Sequence, residues 1–241
     1  MANAVGFLYP GHSAEDDYPR LEGILNEAGA DVRLPLVHTD IGEDAHRADA
    51  LLEMGSAHRL ADRVAEVKRH DVEAVVWSCT SASFVFGWEG AHDQVRELSA
   101  TAGLPASSTS FAFARAVQAL RAERVAIAAT YPEDVAELFT AFLKSAGAEV
   151  VSMCGSGIIT AAEVGTWGKE EVLALARGGD HPDAQAVLLP DTALHTAAWI
   201  PEIEAVLGKP VLTANQVTVW EGLRLLDRTV TCPPLGRLFG A

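Results

Sequence analysis

The sequence is poor in basic residues and has no long apolar run, and both shortages exclude classes of partner. Its 241 residues include 18 Lys and Arg against 33 Asp and Glu, which gives a formal net charge of −15. Binding of phosphate backbones needs clustered basic residues, so we expect no nucleic-acid partner. No stretch approaches the roughly 20 consecutive apolar residues of a membrane span, so we expect no membrane partner. The first residues lack the basic region of a signal peptide, and we expect a cytoplasmic protein.

Cysteine is scarce as well, and its pattern excludes two kinds of site. The three cysteines, Cys79, Cys154 and Cys232, are odd in number and widely spaced, so they form neither a disulfide framework nor a CxxC pair. The eight histidines are scattered and include no HExxH motif, so they imply no metal. We therefore predict free thiols and no metal site.

What the sequence does contain is an alternation of strand and helix patterns that restarts at residue 124. Strands are predicted at residues 4–9, 31–37, 74–78, 124–130, 149–153, 186–190 and 210–213, with residues 104–108 either a short strand or a loop. Helices are predicted at residues 19–28, within 45–69, from 80 towards 98, and at 110–122, 134–146, 169–177, 196–207 and 216–226. Such alternation is typical of parallel sheets with helices on both faces.

The restart predicts an α/β fold with two similar halves and one active site between them. We assign residues 1–105 together with residues 216–241 to the first lobe, and residues 106–215 to the second. This assignment requires the last helix to cross back to the first lobe.

Two strand ends carry similar sequences, at residues 75–81 and 187–193. Each is an apolar strand that ends in a reactive side chain followed by a Thr and a small residue. The residues concerned are Cys79, Thr80 and Ser81 in the first stretch, and Asp191, Thr192 and Ala193 in the second. In α/β folds, ligands bind at the carboxyl ends of strands, where free N–H groups favour anions. We therefore predict that Cys79 and Asp191 face each other across one site.

Each candidate side chain also has a structural interpretation. A thiol at a helix N-terminus has a lowered pKa and is a good nucleophile or proton shuttle, whereas a lone cysteine is more often a core residue. The polar residues after Cys79 favour the functional interpretation. Asp191 is either a general base opposite Cys79 or the cap of a following helix. Cys154 lines a loop near the site or has a structural role, which we favour, and Cys232 is interpreted as incidental.

Further polar side chains follow other predicted strands on the same edge. Tyr131 ends the strand at 124–130 and is either a hydroxyl donor to a carboxylate or a half-exposed aromatic residue. His12 and Ser13 follow the first strand. Several strands that all end in such residues are more specific together than any one of them.

Six segments, by their order and spacing, carry a resemblance that covers nearly the whole chain. They are residues 6–10 (GFLYP), 78–81 (SCTS), 124–131 (RVAIAATY), 158–164 (IITAAEV), 191–196 (DTALHT) and 208–216 (GKPVLTANQ). In these segments the chain resembles the aspartate/glutamate racemase superfamily, and within it the branch of maleate cis-trans isomerases and arylmalonate decarboxylases. The resemblance implies two pseudosymmetric lobes, each a mainly parallel sheet flanked by helices, with the active site in the cleft. It also implies that the enzyme needs no metal or organic cofactor.

The resemblance also implies roles for individual residues. Cys79 matches the thiol that adds to the double bond of maleate in the isomerases. The matches to groups that bind the substrate's carboxylates are the hydroxyls of Thr80, Ser81 and Tyr131 and the N–H groups of Thr192 and Ala193. Near Ser13 the isomerases have an Asn, so the substrate-binding end differs in this chain.

The second cysteine of the family is replaced by Asp191, which argues against a symmetric two-thiol mechanism. The decarboxylases match less well, because they keep the second thiol and have a small residue at the position of Cys79. We expect a cofactor-independent cysteine enzyme acting on a small (di)carboxylate, closest to a maleate cis-trans isomerase. The alternatives are decarboxylase-like or racemase-like proton transfer at an α-carbon, and a catalytically silent relative that binds a small acid. A homo-oligomer remains an open expectation.

Overall fold

The strands form two separate sheets in a computed structural model that describes residues 3–11 and 13–240. The strands of the first half are β1 (Asn3–Pro10), β2 (Val32–Arg33), β3 (Leu36–Thr39), β4 (Ala74–Trp77) and β5 (Ala106–Ser108). Those of the second half are β6 (Arg124–Ala129), β7 (Glu149–Gly155), β8 (Ala186–Leu189) and β9 (Val211–Thr213). Every strand pair among the described residues is parallel.

Helices connect the strands throughout. Those of the first half are α1 (Asp17–Glu27), α2 (Ala48–Met54), α3 (Ala57–Lys68), α4 (Ser81–Phe84), α5 (Gly87–Ala102) and α6 (Thr109–Ala119). The helices that follow are α7 (Glu133–Ser145), α8 (Ala161–Val164), α9 (Lys169–Gly179), α10 (Ile200–Leu207) and α11 (Ala214–Leu225), and two 3₁₀ turns lie at Pro233–Leu235 and Arg237–Phe239. The predicted fold class, two parallel-sheet halves flanked by helices, is confirmed. None of the described helices is long and apolar enough to cross a membrane.

The two sheets have the same strand order. The first runs β2-β1-β4-β5, with β3 also beside β1, and the second runs β7-β6-β8-β9. The chain therefore leaves β1 in one direction and continues on its other side at β4, and it does the same around β6 and β8. Such switch points open a crevice at the carboxyl ends of the strands, where α/β folds bind ligands. Cys79 and Asp191 follow the carboxyl ends of β4 and β8, at equivalent places.

The last helix of each half joins the halves. The hydroxyls of Thr109 on α6 and Thr218 on α11 are hydrogen-bonded at 2.7 Å. Helix α11 also packs on β1, since a Cβ added at Gly222 would lie 2.6 Å from Val5 Cγ1. The strand β5 pairs with β4, so the first sheet extends to Ser108, past the lobe boundary that we predicted at residue 105. The division into lobes itself stays a prediction.

Several predicted elements are interrupted or begin later than the sequence pattern indicated. The strand predicted at residues 31–37 is two short strands, because Pro35 between them has no N–H to donate to a ladder. The helix predicted within residues 45–69 is divided at Gly55, where a Cβ would lie 2.0 Å from the Ala82 carbonyl oxygen. The helix predicted from residue 80 is α4 and α5, with a kink at Ala82. Helix α10 begins at Ile200 instead of residue 196.

The last turn of α9 offers a matched test of how closely this helix packs on the second sheet. A Cβ at Gly179 would lie 2.4 Å from Ala128 Cβ, whereas a Cβ at Gly178 meets nothing within 4 Å. We expect Gly179→Ala to lower the free energy of unfolding by about 1–3 kcal/mol, because the helix must shift away from β6. Gly178→Ala should leave it unchanged or raise it by up to about 1 kcal/mol. Urea unfolding of both variants measures the difference, and equal stabilities would contradict the packing described.

Candidate active site

A narrow cavity lies between the halves at the carboxyl ends of the strands. Its walls come from three regions of the first half and two of the second: Tyr9, Pro10 and Ser13; Ile41, Asp44, His46, Leu51 and Met54; Cys79 and Ser81; Ala161; and Asp191, Thr192 and Ala193. Its free volume is about 20 Å³, which is about the space that one water molecule needs. The cavity in this conformation is therefore too small for an organic acid.

Cys79 lies in the wall of the cavity with only 4% of its surface exposed. Its Sγ accepts a hydrogen bond from the N–H of Ala82 at 3.4 Å and lies 3.7 Å from Ser81 Oγ. Burial raises the pKa of the thiol to about 11, and the nearby Asp191 adds to this, whereas the two hydrogen-bonding groups lower it by less. The expected lowering of the thiol pKa by a helix N-terminus is therefore wrong. The reason is that α4 is a kinked four-residue helix, too short to offset the loss of water.

Asp191 also lies in the wall of this cavity and is buried. Its Oδ1 accepts a hydrogen bond from the N–H of Ala193 at 2.9 Å, and its Oδ2 accepts one from the Thr130 hydroxyl. No α-helix starts directly after Asp191, since the next described helix begins at Ile200. Asp191 is thus a loop carboxylate that faces the cavity and has two hydrogen-bond donors behind it.

The other residues predicted for the site differ in where they lie. Ser81, Thr192, Ala193 and Ser13 line the cavity. The N–H of Ala193, which we expected to contact a substrate oxyanion, already donates to Asp191. The Ser13 hydroxyl donates to the Ala161 carbonyl at 3.3 Å. His12 lies outside the described residues.

Thr80 and Tyr131 lie behind the cavity wall and are fully buried. Tyr131 donates its hydroxyl to the Pro190 carbonyl at 2.7 Å, and burial and the nearby Asp191 raise its pKa well above the ordinary value. Among the described residues, Thr80 Oγ1 has no hydrogen-bond partner. Neither hydroxyl is among the groups that line the cavity, and the Thr80 hydroxyl lowers the pKa of Tyr131.

Residues 40–47, which we call the closing segment, were missed by the sequence reasoning. The Asp44 carboxylate accepts hydrogen bonds from the N–H groups of Ala161 and Ala162 at 2.7 and 3.0 Å. The backbone N–H of His46 donates to the Ile159 carbonyl at 2.6 Å. These bonds join the first half to the second across the mouth of the cavity. The only signal in the sequence was that this segment follows a strand on the same edge as His12 and Ser13.

A buried carboxylate of the first half also holds the loop that carries Asp191. Asp17 on α1 accepts hydrogen bonds from the N–H groups of Thr196 and Ala197 and from the Asn215 amide. The Asn215 amide also donates to the Thr192 carbonyl, at 3.1 Å. Burial raises the pKa of Asp17, and these donors oppose the rise. The position of the loop after β8 is thus fixed from both halves.

The described residues contain no group of three or more His, Cys, Asp or Glu side chains placed to hold a metal ion. The site consists of a thiol, two carboxylates, an imidazole and several hydroxyls. These groups can transfer protons, supply a nucleophile and donate hydrogen bonds to an anion.

The chain is similar to known proteins. The profile of the arylmalonate decarboxylase family matches residues 54–239. A maleate isomerase of Nocardia farcinica is 30% identical over 182 residues, which cover 73% of this chain and 72% of that protein. An arylmalonate decarboxylase of Bordetella bronchiseptica is 30% identical over 196 residues, which cover 79% of each.

A solved structure supports the fold. It is the Nocardia farcinica maleate cis-trans isomerase, as a cysteine-to-serine mutant with a covalently bound succinylcysteine intermediate. It matches with a TM-score of 0.84 and 24% sequence identity, over 98% of both chains.

The raised pKa of Cys79 predicts an unusual pH dependence of its alkylation. Only the thiolate reacts with iodoacetamide, so the labelling rate of folded protein should still rise about tenfold per pH unit between about pH 8 and 10. In urea the same cysteine should level off above its ordinary pKa of about 8.5. Mass spectrometry of the Cys79 peptide measures both profiles. Identical profiles would contradict the buried thiol.

The bonds of Asp44 predict that this residue keeps the cavity closed. A hydrogen bond to a charged group contributes about 1.5–3 kcal/mol, so Asp44→Ala should raise the labelling rate of Cys79 by at least about tenfold. Asp93→Ala is the control, because Asp93 is an exposed acid that pairs with Arg96, outside the closing segment. An equal effect of both substitutions would show that charge, and not the bonds to Ala161 and Ala162, controls access.

Proposed function

The chain belongs to the arylmalonate decarboxylase family, and from that membership we propose that it is an enzyme that interconverts the cis and trans forms of a small unsaturated dicarboxylate such as maleate. The family includes both maleate isomerase and arylmalonate decarboxylase relatives. The observation that carries the proposal is that Cys79 and Asp191, at equivalent strand ends of the two halves, line one narrow cavity. A nucleophile and a proton acceptor are thereby available to the same small ligand.

Asp191 supplies the base that the buried thiol requires. With a pKa of about 11, Cys79 is protonated at neutral pH and must lose its proton before it can act as a nucleophile. In the proposed first step, the Asp191 carboxylate takes this proton as the sulfur adds to one alkene carbon. The electron pair of the double bond moves to the neighbouring carbon and its carboxylate, which gives an enediolate.

The remaining steps complete the isomerisation and regenerate both residues. Protonated Asp191 gives its proton to the enediolate carbon, which yields a succinyl thioether on Cys79, and the carbon–carbon single bond rotates. Asp191 then removes a proton from the same carbon, the electron pair of the carbon–sulfur bond returns to sulfur, and the trans acid leaves. Protonated Asp191 finally returns the proton to the Cys79 thiolate. The covalent succinylcysteine in the Nocardia farcinica isomerase supports this type of intermediate.

We propose that hydroxyl groups near Cys79 stabilise the enediolate. Thr80 has a buried hydroxyl without a partner, and Ser81 lines the cavity beside the sulfur. A well-placed donor to such a charge contributes about 3–4 kcal/mol to lowering the barrier. We propose the same carboxylate-binding role for Tyr131, Thr192 and Ser13, with the Ala193 N–H acting indirectly by holding Asp191.

A second candidate is proton transfer to the α-carbon of a small acid, as in decarboxylation of a substituted malonate. The observation in its favour is that Cys79 is held as a neutral thiol, which is the form that protonates an enediolate. In that reaction carbon dioxide leaves first, and the thiol proton then moves to the carbon.

Incubation with maleate tests the first candidate, with proton NMR to follow the appearance of fumarate. Cys79→Ala should reduce turnover by at least about 1,000-fold, because the nucleophile is lost. Asp191→Asn should reduce it by about 100-fold to 10,000-fold, as expected for loss of a general base. Cys154→Ala is the control and should keep full activity, since Cys154 is exposed and outside the cavity wall.

The outcomes separate the candidates. If maleate is inert but a substituted malonate loses carbon dioxide and gains solvent deuterium at the α-carbon, the second candidate replaces the first. If a small acid binds and none is converted, both candidates are wrong. Full activity of Cys79→Ala would refute the assigned nucleophile.

A further inference from the structure

The charges around the cavity do not suit a dianion unless one residue is cationic. The charged side chains in the described part of the wall are Asp44 and Asp191, and neither Lys nor Arg is present there. The only described lining residue that can become positive is His46. Two carboxylates of a substrate beside Asp191 would otherwise form a cluster of like charges in a buried place.

The geometry of His46 fixes which ring nitrogen faces the cavity. Its Nδ1 lies 2.9 Å from the Ile158 carbonyl oxygen, which can only accept, so Nδ1 carries a hydrogen. Its Nε2 lies 4.0 Å from Asp191 Oδ2, beyond hydrogen-bond distance. A hydrogen on Nε2 therefore makes the ring an imidazolium.

We propose that His46, protonated on both ring nitrogens, binds a substrate carboxylate through Nε2–H and thereby selects dianions for this cavity. This inference rests on the proposed function, because it takes the substrate to be a small dicarboxylate. The imidazolium offsets the charge of Asp191, and Nε2, which has no partner within hydrogen-bond distance on Asp191, is the nitrogen left to donate to the substrate. Because His46 belongs to the closing segment, this contact forms only when the segment is closed.

An effect of pH on binding through His46 must be distinguished from the titration of the groups around it. The groups that share its surroundings are Asp44 on its own segment, Tyr9 and Cys79 of the first half, and Asp191 and Tyr131 of the second. Burial raises the pKa of Tyr9, Tyr131 and Cys79, so all three stay neutral in this range. Histidine is the side chain whose ordinary pKa lies between about pH 5 and 8. Asp191→Asn separates any contribution of that carboxyl.

Succinate is the probe, because it has two carboxylates and no double bond and cannot be isomerised. We expect calorimetry to show that its affinity falls by up to about tenfold per pH unit as His46 loses its proton. His46→Asn keeps a donor in the place of Nδ1 and removes Nε2. It should bind succinate at least about tenfold more weakly at pH 6 and without that pH dependence. His58→Asn, at an exposed histidine outside the cavity, should behave like the unmodified protein.

Nitrogen NMR of the unmodified protein gives a readout that a merely structural role would not change. With succinate bound at pH 6, the His46 ring should show two protonated nitrogens. A neutral ring in that complex, a pH dependence retained in His46→Asn, or no binding of succinate would overturn the proposal. If succinate binds with the expected pH dependence but maleate is not converted, the proposed isomerase activity is wrong and the proposed role of His46 stands.

Discussion

The buried carboxylate of Asp17 is the interaction on which the arrangement of the site depends. Its side chain is 2% exposed, and an ion in such a place costs several kcal/mol unless donors surround it. The donors are the N–H groups of Thr196 and Ala197, the Thr196 hydroxyl and the Asn215 amide. Asp17 belongs to the first half and these donors follow β8. The loop that carries Asp191 therefore has its observed shape only when the halves are together.

This constraint determines how a ligand reaches Cys79. A cavity of about 20 Å³ must open, and a hinge between the halves would break every bond of Asp17 at once. The closing segment is held by the two hydrogen bonds of Asp44 and by those of His46 with the Ile158 and Ile159 carbonyls. These bonds lie at the mouth of the cavity and are easier to exchange for water. Displacement of the closing segment, which carries His46, therefore breaks fewer buried hydrogen bonds than separation of Asp17 from its donors.

The sequence predicted the elements whose structure follows from the local periodicity of apolar residues. It did not predict contacts between segments that are far apart in the chain. The apolar runs that end at Cys79 and Asp191 predicted both strands and their common edge, because a buried parallel strand shows in the sequence itself. The pKa of Cys79 could not be predicted in this way, since it depends on burial by residues from both halves. The role of residues 40–47 was missed for a similar reason, because Asp44 contacts residues more than a hundred positions away. The local sequence pattern thus located Cys79 and Asp191. Their burial and hydrogen-bond partners could be seen only in the tertiary structure.

The two halves have the same strand order, so Cys79 and Asp191 occupy equivalent positions. The surroundings of the two side chains differ, and so does the chemistry of each group. Cys79 Sγ receives one N–H in a buried wall and keeps its proton. The Asp191 oxygens receive the Thr130 hydroxyl and the Ala193 N–H, which are the partners of a proton acceptor. Two thiols would be equivalent at the start, whereas a thiol and a carboxylate are not. The same carboxylate adds negative charge where an anion must bind. A site with an aspartate at this position therefore requires a cation close by, and His46 is the described wall residue that can provide it.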